Sequence, residues 1–283
     1  MATIVILEHR MQDRLGLPYM IYAIAERWQA QGHRVLVHRG TDNPPSGDVA
    51  VLNIDVTVVP PEYCSLLKRY RRVVNGSVLD VSKRPFSQDL LDRNDSWSGP
   101  VIVKTDANYG GRPDQDIRGL CLRYGFPCEI PPGPTMTSYL TLGSIREVPE
   151  TVWNTPGLIV ERFLPEEDER GYYIRFWTFF GECELSSRYR AAVPIIKSQN
   201  ILEREAVPVP DEIRAWREKL GFDFGKFDYV RHAGRYVLLD VNRTPAAPVT
   251  LSGFPHLVEG MKHLADGLDG ILRRGGDLSG ARA

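Results

Sequence analysis

Long hydrophobic runs are missing from this chain of 283 residues. Its opening run, Thr3–Leu7, holds five residues and is followed at once by Glu8-His9-Arg10. That is too short for a signal peptide's apolar core and far too short to span a bilayer, so a soluble cytoplasmic protein is expected. An excess of one charge is also missing. Lys and Arg number 35 against 36 Asp and Glu, a formal net charge of −1. No global field draws such a chain to nucleic acid or to an anionic membrane. Paired cysteines are absent too: Cys64, Cys121, Cys128 and Cys183 include no C-x-x-C, which leaves reduced thiols rather than a zinc site or disulfide frame. No G-x-G-x-x-G follows the first apolar run, which disfavours a dinucleotide dehydrogenase. No Ser/His/Asp or Cys/His pattern marks a covalent nucleophile, and no internal repeats appear.

What is present is an ordinary globular composition, 42% hydrophobic and 25% charged, enough for one to three compact units. The first reads as α/β. Strands are predicted at Thr3–Leu7, Arg34–Val37, Val49–Leu52 and Arg72–Val74. Helices are predicted at Leu17–Gln31, with Ile21, Ile24, Ala25 and Trp28 at helical spacing, and at Glu62–Tyr70. Strands alternating with helices imply a parallel sheet over residues 1–90. A second unit, 91–165, holds strands Pro100–Thr105 and Leu158–Phe163, with Asp106–Pro113 as a polar loop. A third, 166–272, holds the hairpin Tyr172–Phe180/Cys183–Tyr189, a helix at Asp211–Leu220, a second hairpin, and a helix from about His256 to Leu272. The polar, Gly-rich stretch 273–283 is expected to be disordered.

Chemistry concentrates in that second hairpin, where Phe227–Val230 and Tyr236–Asn242 flank a turn at His232-Ala233-Gly234-Arg235. Asp240 and Asn242 are two apart and share a face, with Asp228 on the facing strand. Carboxylates among Val, Leu and Tyr need a positive neighbour, and three hard oxygen donors suit Mg²⁺. Asp-x-Asn before Thr-Pro also caps strand ends, so on these residues alone both readings stand. Lys104 ends an apolar strand and runs into Asp106–Arg112, whose Gly110-Gly111 closes over phosphate or makes a plain turn. Glu161 interrupts the strand Leu158–Pro165 and an acidic cluster, Glu166–Glu169, follows. That cluster is a solvated loop, or its carboxylates accept ribose hydroxyls while backbone near Arg162–Leu164 meets adenine. Arg175 lies inside an apolar strand and Arg188 and Arg190 follow on its partner, an anion-binding wall or surface charge. Lys197 and Asn200 come next, without an assignable role.

In order along the chain, a lysine before a glycine loop, Glu-x-Phe-Leu, a strand arginine, then Asp … Asp-x-Asn-x-x-Pro resembles the ATP-grasp superfamily. Amino-acid and peptide ligases, such as those adding glutamate to a ribosomal protein, are closest in pattern. The resemblance spans about residues 70–250. It implies an α/β fold, with two subdomains clasping ATP (91–165 and 166–272) behind a Rossmann-like pre-ATP-grasp domain (1–90). It also implies an enzyme that joins a carboxylate to an amine through an acyl-phosphate, releasing ADP and phosphate. Its substrates would be small molecules or peptides, and its cofactors ATP and Mg²⁺ or Mn²⁺.

By position, Lys83, Lys104, Gly110 and Gly111 would contact phosphates. Glu161, Arg162, Phe163 and Leu164 would meet adenine, and Asp168 or Glu167 the ribose. Asp228, Asp240 and Asn242 would hold the metal, and Arg175, Arg188 and Arg190 would serve the phosphoryl and acyl groups. Two departures stand out: Asp240 occupies a position usually glutamate, and the loop 106–112 is poor in Gly and Ser. A small-molecule kinase and a non-catalytic ATP-binding protein are the alternatives, and the oligomeric state is open, a dimer included.

Overall fold

The computed structural model describes residues 1–247 and 255–273. Short β-branched and leucine-rich runs form strands β1 (Thr3–Glu8), β2 (Arg34–Arg39), β3 (Val49–Leu52) and β4 (Val73–Val74). They pair in parallel in the order β2-β1-β3-β4. The crossover helix α1 (Met20–Ala30) buries Ile21, Ile24, Ala25 and Trp28, the side chains that helical spacing puts on one face. Helix α2 (Pro61–Leu67) starts on a proline, whose missing N–H costs nothing in the first turn.

The second sheet is antiparallel, with β5 (Val101–Thr105) between β6 (Leu140–Leu142) and β7 (Leu158–Arg162). Helix α3 (Arg112–Arg123) leaves directly from the glycine loop, and its Pro113 opens the helix rather than closing the predicted loop. A short α4 (Glu150–Trp153) precedes β7.

The third sheet is also antiparallel. Its strands are β8 (Glu166–Asp168), β9 (Gly171–Phe180), β10 (Cys183–Ala191), β11 (Glu203–Ala206), β12 (Phe224–His232) and β13 (Arg235–Asn242). The order is β11-β10-β9-β12-β13, with β8 beside the N-terminal half of β9. Helix α5 (Asp211–Leu220) matches its expected span. The single helix expected at 256–272 is two, α6 (Pro255–Ala265) and α7 (Leu268–Arg273). The break falls at Gly267, where a Cβ would sit 1.9 Å from the Phe180 carbonyl oxygen, so only glycine lets the chain pass. Arg273 closes α7, and the rest of the stretch read as a disordered tail lies outside the described residues.

The sheets are tied together by specific contacts. Ile4, Trp28 and Val51 share one apolar core with Phe180, Phe224, Met261 and Leu264. Asn75, at φ 62°, accepts from the Asp223 and Phe224 amides and donates to the Phe224 carbonyl, joining β4 to the start of β12. No helix among the described residues is long and apolar enough to cross a membrane.

Candidate active site

The hairpin β12–β13 turns through Ala233 (φ 48°) and Gly234 (φ 87°), two left-handed residues that match the twist of the strands they join. Its register puts Asp228 opposite Asp240 and Lys226 opposite Asn242, with a bulge immediately after Asp228. Directly paired residues project from the same side, so all four lie on one face. On the neighbouring β9, Phe176 lies opposite Asp228 and shares that face. Lys226 was not among the candidates. Its Nζ lies 2.6 Å from Asp228 Oδ1 and 3.7 Å from the centre of the Phe176 ring.

Lys104 and Glu161 lie on a common face of the second sheet, and Lys104 Nζ is 2.7 Å from Glu161 Oε2 with both side chains buried. Lys83, from the loop after β4, reaches across. Its Nζ donates to the Ala107 carbonyl at 2.8 Å and lies 3.2 Å from Asp240 Oδ1. Tyr139 stands at the rim, 45% exposed, 5.9 Å from Lys104 Nζ. Its phenol is pushed up by loss of solvation and then by Asp240, Asp228 and Glu161. One tyrosine thus lies near carboxylates of both sheets, Glu161 of the second and Asp228 and Asp240 of the third. Burial also raises the Asp228 carboxyl, with Lys226 and Lys83 opposing and Asp240 adding to the rise.

The arginine wall is elsewhere. Arg175 pairs with Tyr229 on β12 and Arg188 on β10, one residue out of phase with Asp228, so it points to the opposite face. Arg188 and Arg190 share that far face. Arg175 donates to buried Glu166, whose other oxygen lies 3.1 Å from Arg188 Nε, and Glu166 also accepts the Arg231 amide at 2.7 Å. Arg190 pairs with Glu203 at 2.5 Å. Arg175 and Arg188 therefore serve a salt-bridge network behind the sheet centred on Glu166, a member of the acidic run, while Arg190 serves Glu203 on the same side.

Other candidates divide likewise. Glu167 lies opposite Tyr172, on Asp228's side of the sheet, whereas Asp168 faces away and accepts from Tyr173 and the Arg170 amide. Of the two ribose candidates, Glu167 has the suitable orientation. Arg162 lies opposite Val101, away from Lys104; its amide donates to the Asp89 carbonyl and its guanidinium stacks on Trp97. Its amide bond to the Asp89 carbonyl is 2.8 Å, and the Phe163 amide is likewise engaged by Pro100 at 2.9 Å. Leu164 is buried against Val230 and Val237. At Gly110 and Gly111 a Cβ would lie 2.1 Å from the Met136 oxygen and 2.5 Å from the Pro134 oxygen. Segment 134–136 covers the glycine loop, and that close approach is what demands glycine there. Lys197 donates to the Thr137 carbonyl and Asn200 bonds within its own turn, joining two loops.

No family model and no curated protein sequence matches this chain. Solved structures do. A RimK domain protein ATP-grasp from Sphaerobacter thermophilus is 14% identical, with a TM-score of 0.53 over 95% of this chain and 100% of that one. D-alanine–D-alanine ligase from Bacillus anthracis is 12% identical, with a TM-score of 0.52 over 97% and 98%. The macrocyclase MdnC from Microcystis aeruginosa, bound with precursor peptide MdnA, is 9% identical, with a TM-score of 0.52 over 93% and 98%. This chain has the ATP-grasp fold.

The donors present fit a hard divalent cation. Two carboxylates and an amide oxygen lie on one strand pair, and Asp240 Oδ1 is a buried oxygen that makes no well-aligned hydrogen bond and has the Lys83 ammonium 3.2 Å away. Asn242 Oδ1 accepts from the Thr244 amide at 2.8 Å, which fixes its direction. Among the described residues no set of three His, Cys, Asp or Glu side chains could hold a metal. Two carboxylates and an amide suit an ion that keeps waters and phosphate oxygens in its shell.

Proposed function

We propose that this protein is an ATP-dependent carboxylate–amine ligase. The observation that carries the reading is that Lys83 and Tyr139 bring the Lys104–Glu161 pair and the Asp228–Asp240–Asn242 face together. We assign residues 1–90, 91–165 and 166–272 to a pre-ATP-grasp domain and two clasping subdomains, with the nucleotide between the second and third.

In the proposed reaction a substrate carboxylate oxygen attacks the γ-phosphorus and ADP leaves, giving an acyl-phosphate. The amine then attacks the acyl carbon, loses a proton to solvent or phosphate, and expels inorganic phosphate. The lysine ammoniums hold phosphate oxygens in line, and Glu161 fixes the direction of Lys104. Glu167 accepts ribose hydroxyls. Asp228, Asp240 and Asn242 would hold Mg²⁺ or Mn²⁺, which would supply positive charge to offset that of the phosphates. With the strand arginines on the far face, the positive charge for the transferring group comes from Lys83, Lys104 and Lys226.

Structures of similar fold include a D-alanine–D-alanine ligase and a macrocyclase bound with a precursor peptide, so small amino acids and peptides are the substrates to test. A cytoplasmic setting accords with four free cysteines. The deciding experiment incubates ATP and Mg²⁺ with panels of carboxylates and amines, measuring ADP release and product mass. An amide product supports the ligase. A phosphorylated product without an amide supports a kinase and overturns it, as does failure to bind ATP with Mg²⁺ in calorimetry.

A further inference from the structure

Each carboxylate of the proposed metal seat is already held by an ammonium. Lys226 Nζ lies 2.6 Å from Asp228 Oδ1, and Lys83 Nζ lies 3.2 Å from Asp240 Oδ1. Two lysines against two aspartates leave the seat with no net charge. Lys226 is not a solvated strand lysine that happens to lie nearby. It lies on the seat's own face opposite Asn242, its side chain 23% exposed and its ammonium over the Phe176 ring.

Opposite charges in contact attract several times more strongly beside a protein surface than in bulk water. A divalent cation arriving alone would have to displace that attraction or bear repulsion from both ammoniums. It would also give up hydration that Mg²⁺ sheds reluctantly. A triphosphate changes the balance. It supplies oxygens to complete the metal shell, and it offers the lysines a new anionic partner.

We infer that Lys226, with Lys83, is an exchangeable counter-ion of the metal seat. It excludes a divalent cation until nucleotide arrives, then moves from Asp228 to the phosphate. Metal and nucleotide loading are thereby coupled, and Lys226 is the residue that sets the coupling. The inference rests on the proposed ligase reading, since it requires Asp228 and Asp240 to be metal ligands.

The test uses Mn²⁺ alone as probe on the full chain, followed by electron paramagnetic resonance of the free ion. Wild type should show no saturable binding below millimolar Mn²⁺. Lys226→Met should bind Mn²⁺ alone about tenfold or more tightly. Lys226→Arg keeps the charge and should exclude Mn²⁺ as wild type does. If the Met variant does not fold by circular dichroism, Lys226→Gln replaces it.

A second measurement separates this inference from the reading beneath it. Calorimetry of a non-hydrolysable ATP analogue, with and without Mn²⁺, should show metal-dependent affinity in wild type that Asp240→Asn loses. If that dependence appears but Lys226→Met gains no affinity, or wild type binds Mn²⁺ alone as tightly as the variant, the counter-ion role is overturned and the ligase reading stands. If the dependence is absent in wild type, both fall.

Discussion

At Asp240 the charge matters more than the shape. The side chain lies opposite Asp228, and its buried Oδ1 makes no well-aligned hydrogen bond but has the Lys83 ammonium 3.2 Å away. Asp240→Asn preserves volume and removes that charge. Turnover of the proposed ligase should fall about a hundredfold or more, several kcal/mol of transition-state stabilisation. Nucleotide affinity, which draws on many other contacts, should fall by less than about tenfold. Steady-state kinetics beside calorimetry checks this, and a variant with wild-type turnover would remove Asp240 from the mechanism.

Arg188 gives the opposite expectation because it faces away. Arg188→Lys should leave kcat/KM within about threefold of wild type, since its links to Glu166, Asp168, Glu205 and the Tyr173 ring all lie on the far face. Glu166→Gln strips the charge from a buried hub shared by Arg175 and Arg188. It should cost about 3 kcal/mol in a urea titration. A large loss of kcat/KM in a well-folded Arg188→Lys would put the arginine back in the chemistry.

Among elements, the hairpin β12–β13 carries most of the site, and Arg243 anchors its end. Next to Asn242 and wholly buried, Arg243 donates to the carbonyls of Ile54 (3.0 Å), Val56 (2.6 Å) and Val78 (2.6 Å). Burial holds its guanidinium down to about 10, still charged at neutral pH. Thr244 adds a bond to buried Asp55 at 2.7 Å. Arg243→Met should lower stability by about 3 kcal/mol or more, because the carbonyls lose donors they cannot regain from water. Urea unfolding of wild type and variant measures it.

Much of this element's geometry is written locally. The face shared by Asp240 and Asn242 follows from strand period, and the turn follows from Ala233-Gly234. The parallel first sheet was equally legible, because strand and helix periods alternate along residues 3–74. The facing of Arg175 was not. It depends on pairing Tyr229 rather than Asp228 with Arg175, a register between strands some fifty residues apart that no local pattern fixes. Lys226 was missed because a strand lysine normally reads as solvated, and α3 because its first turn, Arg112-Pro113-Asp114, is polar and proline-bearing.

For the whole molecule, the shared core matters more than the three sheets taken separately. Trp28 of α1 donates to the Ala265 carbonyl of α6, and Asn75 and Arg243 bind the first sheet to the third. Heat should therefore unfold the chain in one transition rather than sheet by sheet, with calorimetric and van't Hoff enthalpies agreeing. His9, at the C-terminal end of β1, supplies a pH signature for that transition. It is 4% exposed, its Nδ1 accepts the Met11 amide, and burial followed by Arg10 lowers its pKa from 6.5 to about 4. Between those values the unfolded chain binds the proton and the folded chain does not. Stability from this residue is fully present above pH 6.5 and declines as pH falls toward 4, below which both states are protonated. The full span is worth about 3 kcal/mol. Urea titrations at pH 7, 5.5 and 4 should show that decline in wild type and a shallower one in His9→Gln, which cannot gain the proton. Equal slopes in the two proteins would show that His9 is not the group responsible.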